Sequence, residues 1–171
     1  FTDLTREFGM FSMATSSHQN SFTIFKKQRT DEVQVFVRDS LAVFYGQEYS
    51  INSWQAICST WDSRTGLTQI WVNGTPSSRK FTTTAHINGR IIIVLGQEQD
   101  SHGGSFYIKQ CYAGMMADLH MWDYALSPDQ IHNYSCNLSF TDGNLLSFTN
   151  GNLLRWGSLE FQKTSKVIIE D

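Results

Sequence analysis

With 171 residues, 40% hydrophobic and 17% charged, the chain has material for one globular domain with a substantial core, and it is not a disordered segment. The formal net charge of -3 offers no basic field for phosphate backbones or anionic membrane, which argues against nucleic acid as a partner. No run approaches the roughly 18 apolar residues of a spanning helix, and FTDLTREFGMFSM opens without the basic and apolar regions of a signal peptide.

Twelve Phe, six Tyr and five Trp, with twelve Gly and two Pro, suit a sheet protein rich in turns. In chain order, MFSMA at 10–14 and FTIFK at 22–26 read as aromatic-rich strands separated by the polar turn from Thr15 to Ser21. Val33, Val35 and Val37 alternate with Gln34 and Phe36, the period of a strand with one face on a core. LAVFY at 41–45 and a segment around Cys58 continue the pattern. TQIWV at 68–72 ends at Asn73-Gly74, a dipeptide suited to the positive backbone angles of a tight hairpin, with Arg79 to Thr83 as the expected partner. Ile91 to Leu95 is a β-branched run bounded by Gly96 and reads as a strand buried on both faces.

That strand opens into Gln97, Glu98, Gln99, Asp100 and Ser101, all with oxygen-bearing side chains, followed by Gly103 and Gly104. A hard cation such as calcium takes six to eight oxygens at about 2.3 to 2.6 Å from carboxylates, amides and backbone carbonyls, and this loop supplies all three kinds. The plain alternative is a solvated polar loop. Tyr112 to Trp122 reads as a further strand, with Ala113, Met115, Ala117, Leu119 and Met121 on one face. Ser127-Pro128-Asp129-Gln130 is a capping box that predicts a short helix from Pro128 to Tyr134. SLEFQ and KVIIE, between Ser158 and Glu170, read as a closing hairpin. FTDGNLLS at 140–147 and FTNGNLLR at 148–155 form a tandem copy, read as a local duplication without chemistry. Short strands, tight turns and one helix predict an all-β fold, a jelly-roll β-sandwich spanning residues 1–171.

Cys58, Cys111 and Cys136 make an odd count, so at least one thiol is free or paired outside the chain. The tripeptides beginning at Asn73, Asn133 and Asn137 fit the N-glycosylation pattern and favour an extracellular location. His18, His86, His102, His120 and His132 show no zinc-ligand spacing, and no nucleophile elbow, Walker loop or dinucleotide fingerprint is present. Trp61 and Trp71, within strand patterns, read as core.

AICSTWDS at 56–63 resembles the signature of the pentraxin family, His-x-Cys-x-Ser/Thr-Trp-x-Ser/Thr, with Ala56 in place of the His. The resemblance continues through Thr65-Gly66, Trp71 to Gly74, LGQEQDSHGGSF at 95–106 and MWDYALSPDQI at 121–131, and is strongest to the short, serum-type members. It implies a flattened, lectin-like jelly roll, secreted, acting in innate immunity and assembling as a cyclic homo-pentamer. It further implies calcium-assisted binding of phosphocholine, phosphoethanolamine or carbohydrate, and no enzymatic activity. The first residues resemble the family's third strand region, which implies that the strands before it lie outside this chain.

Carried over by position, the resemblance assigns calcium ligation to Asn20, Glu98, Gln99, Asp100 and Gln110, and ligand contact to Gln19 and Phe25. Gln19 and Tyr107 stand where the family has carboxylates, and a neutral oxygen offers a dipole in place of an anion. A weakened second site and a first site that fills at millimolar calcium are therefore expected. The resemblance also implies a disulfide from Cys58 to a strand before Phe1; without it the chain forgoes roughly 2 to 5 kcal/mol. The alternative is a metal-independent adhesion or assembly module, favoured by Gln19 and Tyr107. Hydrolysis of a glycosidic bond would use a Glu-x-Asp-x-x-Glu run, but Gly103 occupies the last position.

Overall fold

The computed structural model describes residues 2–28, 31–136, 151–164 and 166–170. The fold is mostly β-sheet with one α-helix among these residues. A five-stranded antiparallel sheet has the order β4-β3-β2-β1-β9, built from Phe8–Thr15 (β1), Phe22–Lys26 (β2), Val33–Val37 (β3), Ser40–Phe44 (β4) and Ile91–Leu95 (β9). A second sheet is formed by Ile57–Asp62 (β5), Leu67–Val72 (β6), Thr75–Pro76 (β7) and Lys80–Phe81 (β8). His120–Met121 (β10) and Leu154–Arg155 (β11) pair separately, and α1 spans Pro128–Cys136.

The core lies between the sheets. Phe8, Met10, Val33, Val35, Val37, Ala42 and Phe44 of the first sheet meet Ile70 of the second, with Trp61 and Ile57 packed against them. The alternation in β3 is realised in full, since all three valines are completely buried while Gln34 and Phe36 are not. Trp71 is buried too, and the Trp61 indole N–H donates to Thr83 O at 2.8 Å. Every residue of β1 is buried, because this strand lies between two neighbours and has both faces covered. Its pairing with β2 shifts by one residue between Gly9 and Phe11, a bulge that adds local twist.

The hairpin at Asn73-Gly74 forms with φ of 50° and 78° at those residues, pairing Trp71 with Pro76 and Val72 with Thr75. The predicted partner segment contributes β8, which pairs Phe81 with Leu67 on the same strand. The capping box forms as well: Gln130 N donates to Ser127 Oγ at 3.3 Å and Ser127 N donates to Gln130 Oε1 at 2.8 Å. The helix runs beyond the predicted Tyr134.

Three expectations are corrected. β9 is an edge strand whose ends Ile91 and Leu95 are 44% and 37% exposed, so it is not buried on both faces. The expected strand from Tyr112 to Trp122 shrinks to His120–Met121, because Gly114 (φ 154°) and Asp118 (φ 52°) leave the extended region and break the alternation. Ser158 to Glu170 forms no hairpin among its described residues; the segment begins in a 3-10 turn, Trp156–Ser158, and continues without strand pairing. Most of the tandem copy, residues 140–150, and the sequon at Asn137 lie outside the described residues.

Among the described residues no disulfide forms. Burial pushes the Cys58 thiol up to about 11, offset in part by a hydrogen bond with Ser135. Asn73 is exposed, but its Oδ1 accepts from Ala56 N at 2.9 Å, so one of the three sequon side chains is engaged in a turn.

Candidate functional site

The acidic loop lies across the outer face of the five-stranded sheet, and a glycine makes that approach possible. A Cβ on Gly9 would come within 2.6 Å of Glu98 N and 2.8 Å of Gln97 C. Only a residue without a side chain lets the loop backbone rest directly on β1. Farther along the same strand, Ser12 Oγ accepts from Gln99 N at 3.2 Å. Gln99 itself is fully buried and its side chain is consumed internally: Nε2 donates to Ser12 O at 3.0 Å and Ile92 O at 3.2 Å, while Oε1 accepts from Gly103 N at 2.9 Å. Gln99 therefore shapes the loop, and its side-chain amide is committed to that task. Gln97 Nε2 donates to Tyr107 O at 2.7 Å, and His102 Nε2 donates to Arg90 O at 3.1 Å, fastening the rest of the loop.

Glu98 is partly buried and Asp100 exposed. Burial first, and then the charge of Asp100, raises the Glu98 carboxyl above its ordinary value, with Glu7 adding to the rise and Lys27 opposing it. An anion held in this way is stabilised by any cation that reaches it.

The cross-strand register explains why Glu7 and Lys27 are there. Gly9 pairs with Phe25 and Phe8 with Lys26, so the next pair outward is Glu7 with Lys27, on the same face as Gly9 and Phe25. Lys27 Nζ lies 2.6 Å from Glu7 Oε2 and 5.4 Å from the centroid of the Phe25 ring. Gln110, on the 3-10 turn Ile108–Gln110, donates from Nε2 to Glu7 Oε1 at 3.1 Å. The hydrogen bonds from Lys27 and Gln110 hold the Glu7 carboxyl below the usual glutamate range. Phe25 is itself buried at 3% exposure, so the group presented above its ring is the Lys27 ammonium.

Asn20 and Gln19 occupy the turn between β1 and β2. Gln19 is exposed. Asn20 is 9% exposed, and its Oδ1 is buried without a hydrogen-bond partner. Its backbone N donates to Asp39 Oδ1 at 3.0 Å. Asp39 Oδ2 takes His18 Nδ1 at 2.7 Å, while Arg38 donates to His18 Nε2 at 2.8 Å. A guanidinium only donates, so Nε2 is the acceptor and Nδ1 carries the proton toward Asp39.

Sequence reasoning thus named the loop but missed Glu7, Lys27, Ser12 and Asp39. Ser12 and Glu7 lie far from the loop in sequence, and only the strand register brings them to it. Among the described residues no group of three or more His, Cys, Asp or Glu side chains is arranged to hold a metal ion. A Cβ on Gly103 would meet Ile92 Cδ1 at 3.0 Å, and its φ is 81°, so the missing third carboxylate of a glycosidase run has no place there.

Two antiparallel sheets packed around a common core, with an oxygen-lined loop on one outer face, define an all-β sandwich whose candidate site lies on its surface. The chain belongs to the pentraxin family: the family model described as the Pentaxin family matches residues 1–171. It is 36% identical over 147 residues to jeltraxin of Lepidobatrachus laevis, covering 84% of this chain and 64% of that protein. Similarity to C-reactive protein of Sus scrofa is 31% identity over 171 residues, covering 99% of this chain and 72% of that protein. Among solved structures, the native heptameric SAP-like pentraxin from Limulus polyphemus superposes with a TM-score of 0.81 at 26% identity, covering 96% of this chain and 76% of that one. The chain thus spans about two thirds of the length of relatives such as jeltraxin.

Proposed function

We propose that this chain is a secreted, calcium-assisted recognition module for anionic small ligands, the phosphorylated head groups or carbohydrates implied by its family. The observation that carries this reading is Asn20 Oδ1, a buried acceptor without a partner in the turn between β1 and β2. Buried polar atoms are almost always satisfied, and one that is not invites an ion or water. The half-buried Glu98, raised by its surroundings, is the second attraction for a divalent cation. Asn20, Glu98 and Asp100, with the Gln99 carbonyl, would hold the ion, which supplies a positive centre for a ligand's phosphate or hydroxyl oxygens. Gln110 is tied to Glu7, and Tyr107 brings no carboxylate, so a second ion would be held weakly if at all.

Titration of the chain with calcium in a calorimeter tests this reading. The expected result is saturable heat in the millimolar range that Glu98→Gln abolishes; no heat up to several millimolar overturns it.

The alternative is a metal-independent adhesion or assembly module. It is favoured by the absence of a three-member metal-binding group among the described residues and by the fixed cation that Lys27 already supplies. Ligand capture unaltered by a chelator would decide for it. In either reading the chain assembles as a closed ring of identical subunits. The heptameric state of the Limulus neighbour means that subunit number is not set by the fold alone, so the expected pentamer is one of several closures.

A further inference from the structure

The geometry points to Lys27 as a specificity residue that closes the Phe25 side of the site to cationic ligand groups, so that the preferred ligand is a phosphomonoester with an uncharged tail. The inference rests on the calcium-assisted reading above and adds to it the identity of the tail.

An aromatic face is the ordinary seat for a quaternary ammonium, which is drawn to the negative face of the ring. In this sheet that seat is taken. Lys27 Nζ stands 5.4 Å from the Phe25 centroid, and Phe25 retains only 3% of its exposure. The ammonium is also fixed. It forms a 2.6 Å ion pair with Glu7, whose other oxygen accepts from Gln110 at 3.1 Å, so three residues from two strands and a 3-10 turn lock one another.

The lock has two consequences for an incoming ligand. Glu7 is the carboxylate beside Phe25 that would otherwise welcome a positive tail, and Lys27 has neutralised it. A second cation arriving at Phe25 would meet the like charge of Lys27 at close range. Gly9, the cross-strand partner of Phe25, lies directly beneath the Glu98 backbone, and the charges of Lys27 and Glu7 act on the Glu98 carboxyl, so a ligand gripped at Glu98 has this patch as its neighbour. A hydroxyl-bearing or apolar tail passes without charge conflict. A trimethylammonium tail does not.

The test compares phosphocholine with glycerol 3-phosphate, which share the phosphate and differ in the tail, by calorimetry in millimolar calcium. The chain, Lys27→Met and Lys27→Arg are each measured, with a thermal melt to confirm folding. The expected result for the chain is a preference of about tenfold or more for glycerol phosphate. Lys27→Met, which removes the positive charge beside Phe25 and leaves Glu7 without its ion pair, should erase or reverse that preference, while Lys27→Arg keeps it. Equal affinities for the two ligands in the chain itself, or an unchanged ratio in folded Lys27→Met, overturn the inference and leave calcium-assisted binding standing. Binding of neither ligand by any folded form overturns both. Because the ratio in the chain is decisive alone, a variant that fails to fold does not shelter the inference.

Discussion

At the scale of single residues, the site is governed by how each charge is balanced. Glu98 has a raised carboxyl because burial and Asp100 both disfavour its anion. The folded chain therefore binds that proton more tightly than the unfolded one. Stability without calcium falls as pH rises from the ordinary 4.5 through the raised folded value, and stays reduced above it. Glu98→Gln should accordingly melt at a higher temperature than the parent at neutral pH without calcium, and gain nothing when calcium is added. Glu7 behaves oppositely. Its carboxyl is lowered by Lys27 and Gln110, so its contribution is present above the unfolded glutamate value and is lost as pH falls through the folded one. Since Glu7 and Lys27 are each about a third exposed, that contribution is modest, within about 1 kcal/mol. Gln99 is a heavier anchor: Gln99→Ala strips the loop of the side-chain bonds to Ser12, Ile92 and Gly103 and should lower stability by about 3 kcal/mol in urea denaturation.

At the scale of elements, the strands and the helix were legible where a periodic pattern met a local signal. Val33, Val35 and Val37 carried their own alternation, Asn73-Gly74 its turn chemistry, and Ser127 with Gln130 its reciprocal cap. Ser127→Ala should therefore cost about 1 kcal/mol of helix stability, read as faster amide exchange in α1. The segments that failed lacked long-range support. Alternation in KVIIE makes no strand because none of the described residues pairs with it, and the run after Tyr112 is interrupted at Gly114 and Asp118 by backbone angles that its apolar pattern conceals. The site divides in the same way. The oxygens of residues 98–100 were visible as a local run, whereas the Glu7–Lys27 pair exists only through the register of β1 on β2. Gly9 belongs to the second kind. Gly9→Ala places a methyl against the Glu98 backbone and should weaken calcium binding in the calorimeter more than it lowers the melting temperature.

At the scale of the whole molecule, the five-stranded sheet serves as the platform and the second sheet as its backing, with the core between them independent of the acidic loop. Asp100→Asn should lower ligand affinity in calcium while, by removing the charge that raises the Glu98 carboxyl, leaving the metal-free chain at neutral pH at least as stable as the parent in a thermal melt. A closed assembly predicts a single sedimenting species heavier than the 19.5 kDa chain, with a mass that does not drift with concentration. The attachment of the loop to Ser12, Ile92 and Gly103 has a further bearing on kinetics. Since this scaffolding consists of protein atoms alone, the receptor keeps its contour between encounters; capture then spends little entropy on rearrangement, and residence time rather than approach will distinguish one guest from another.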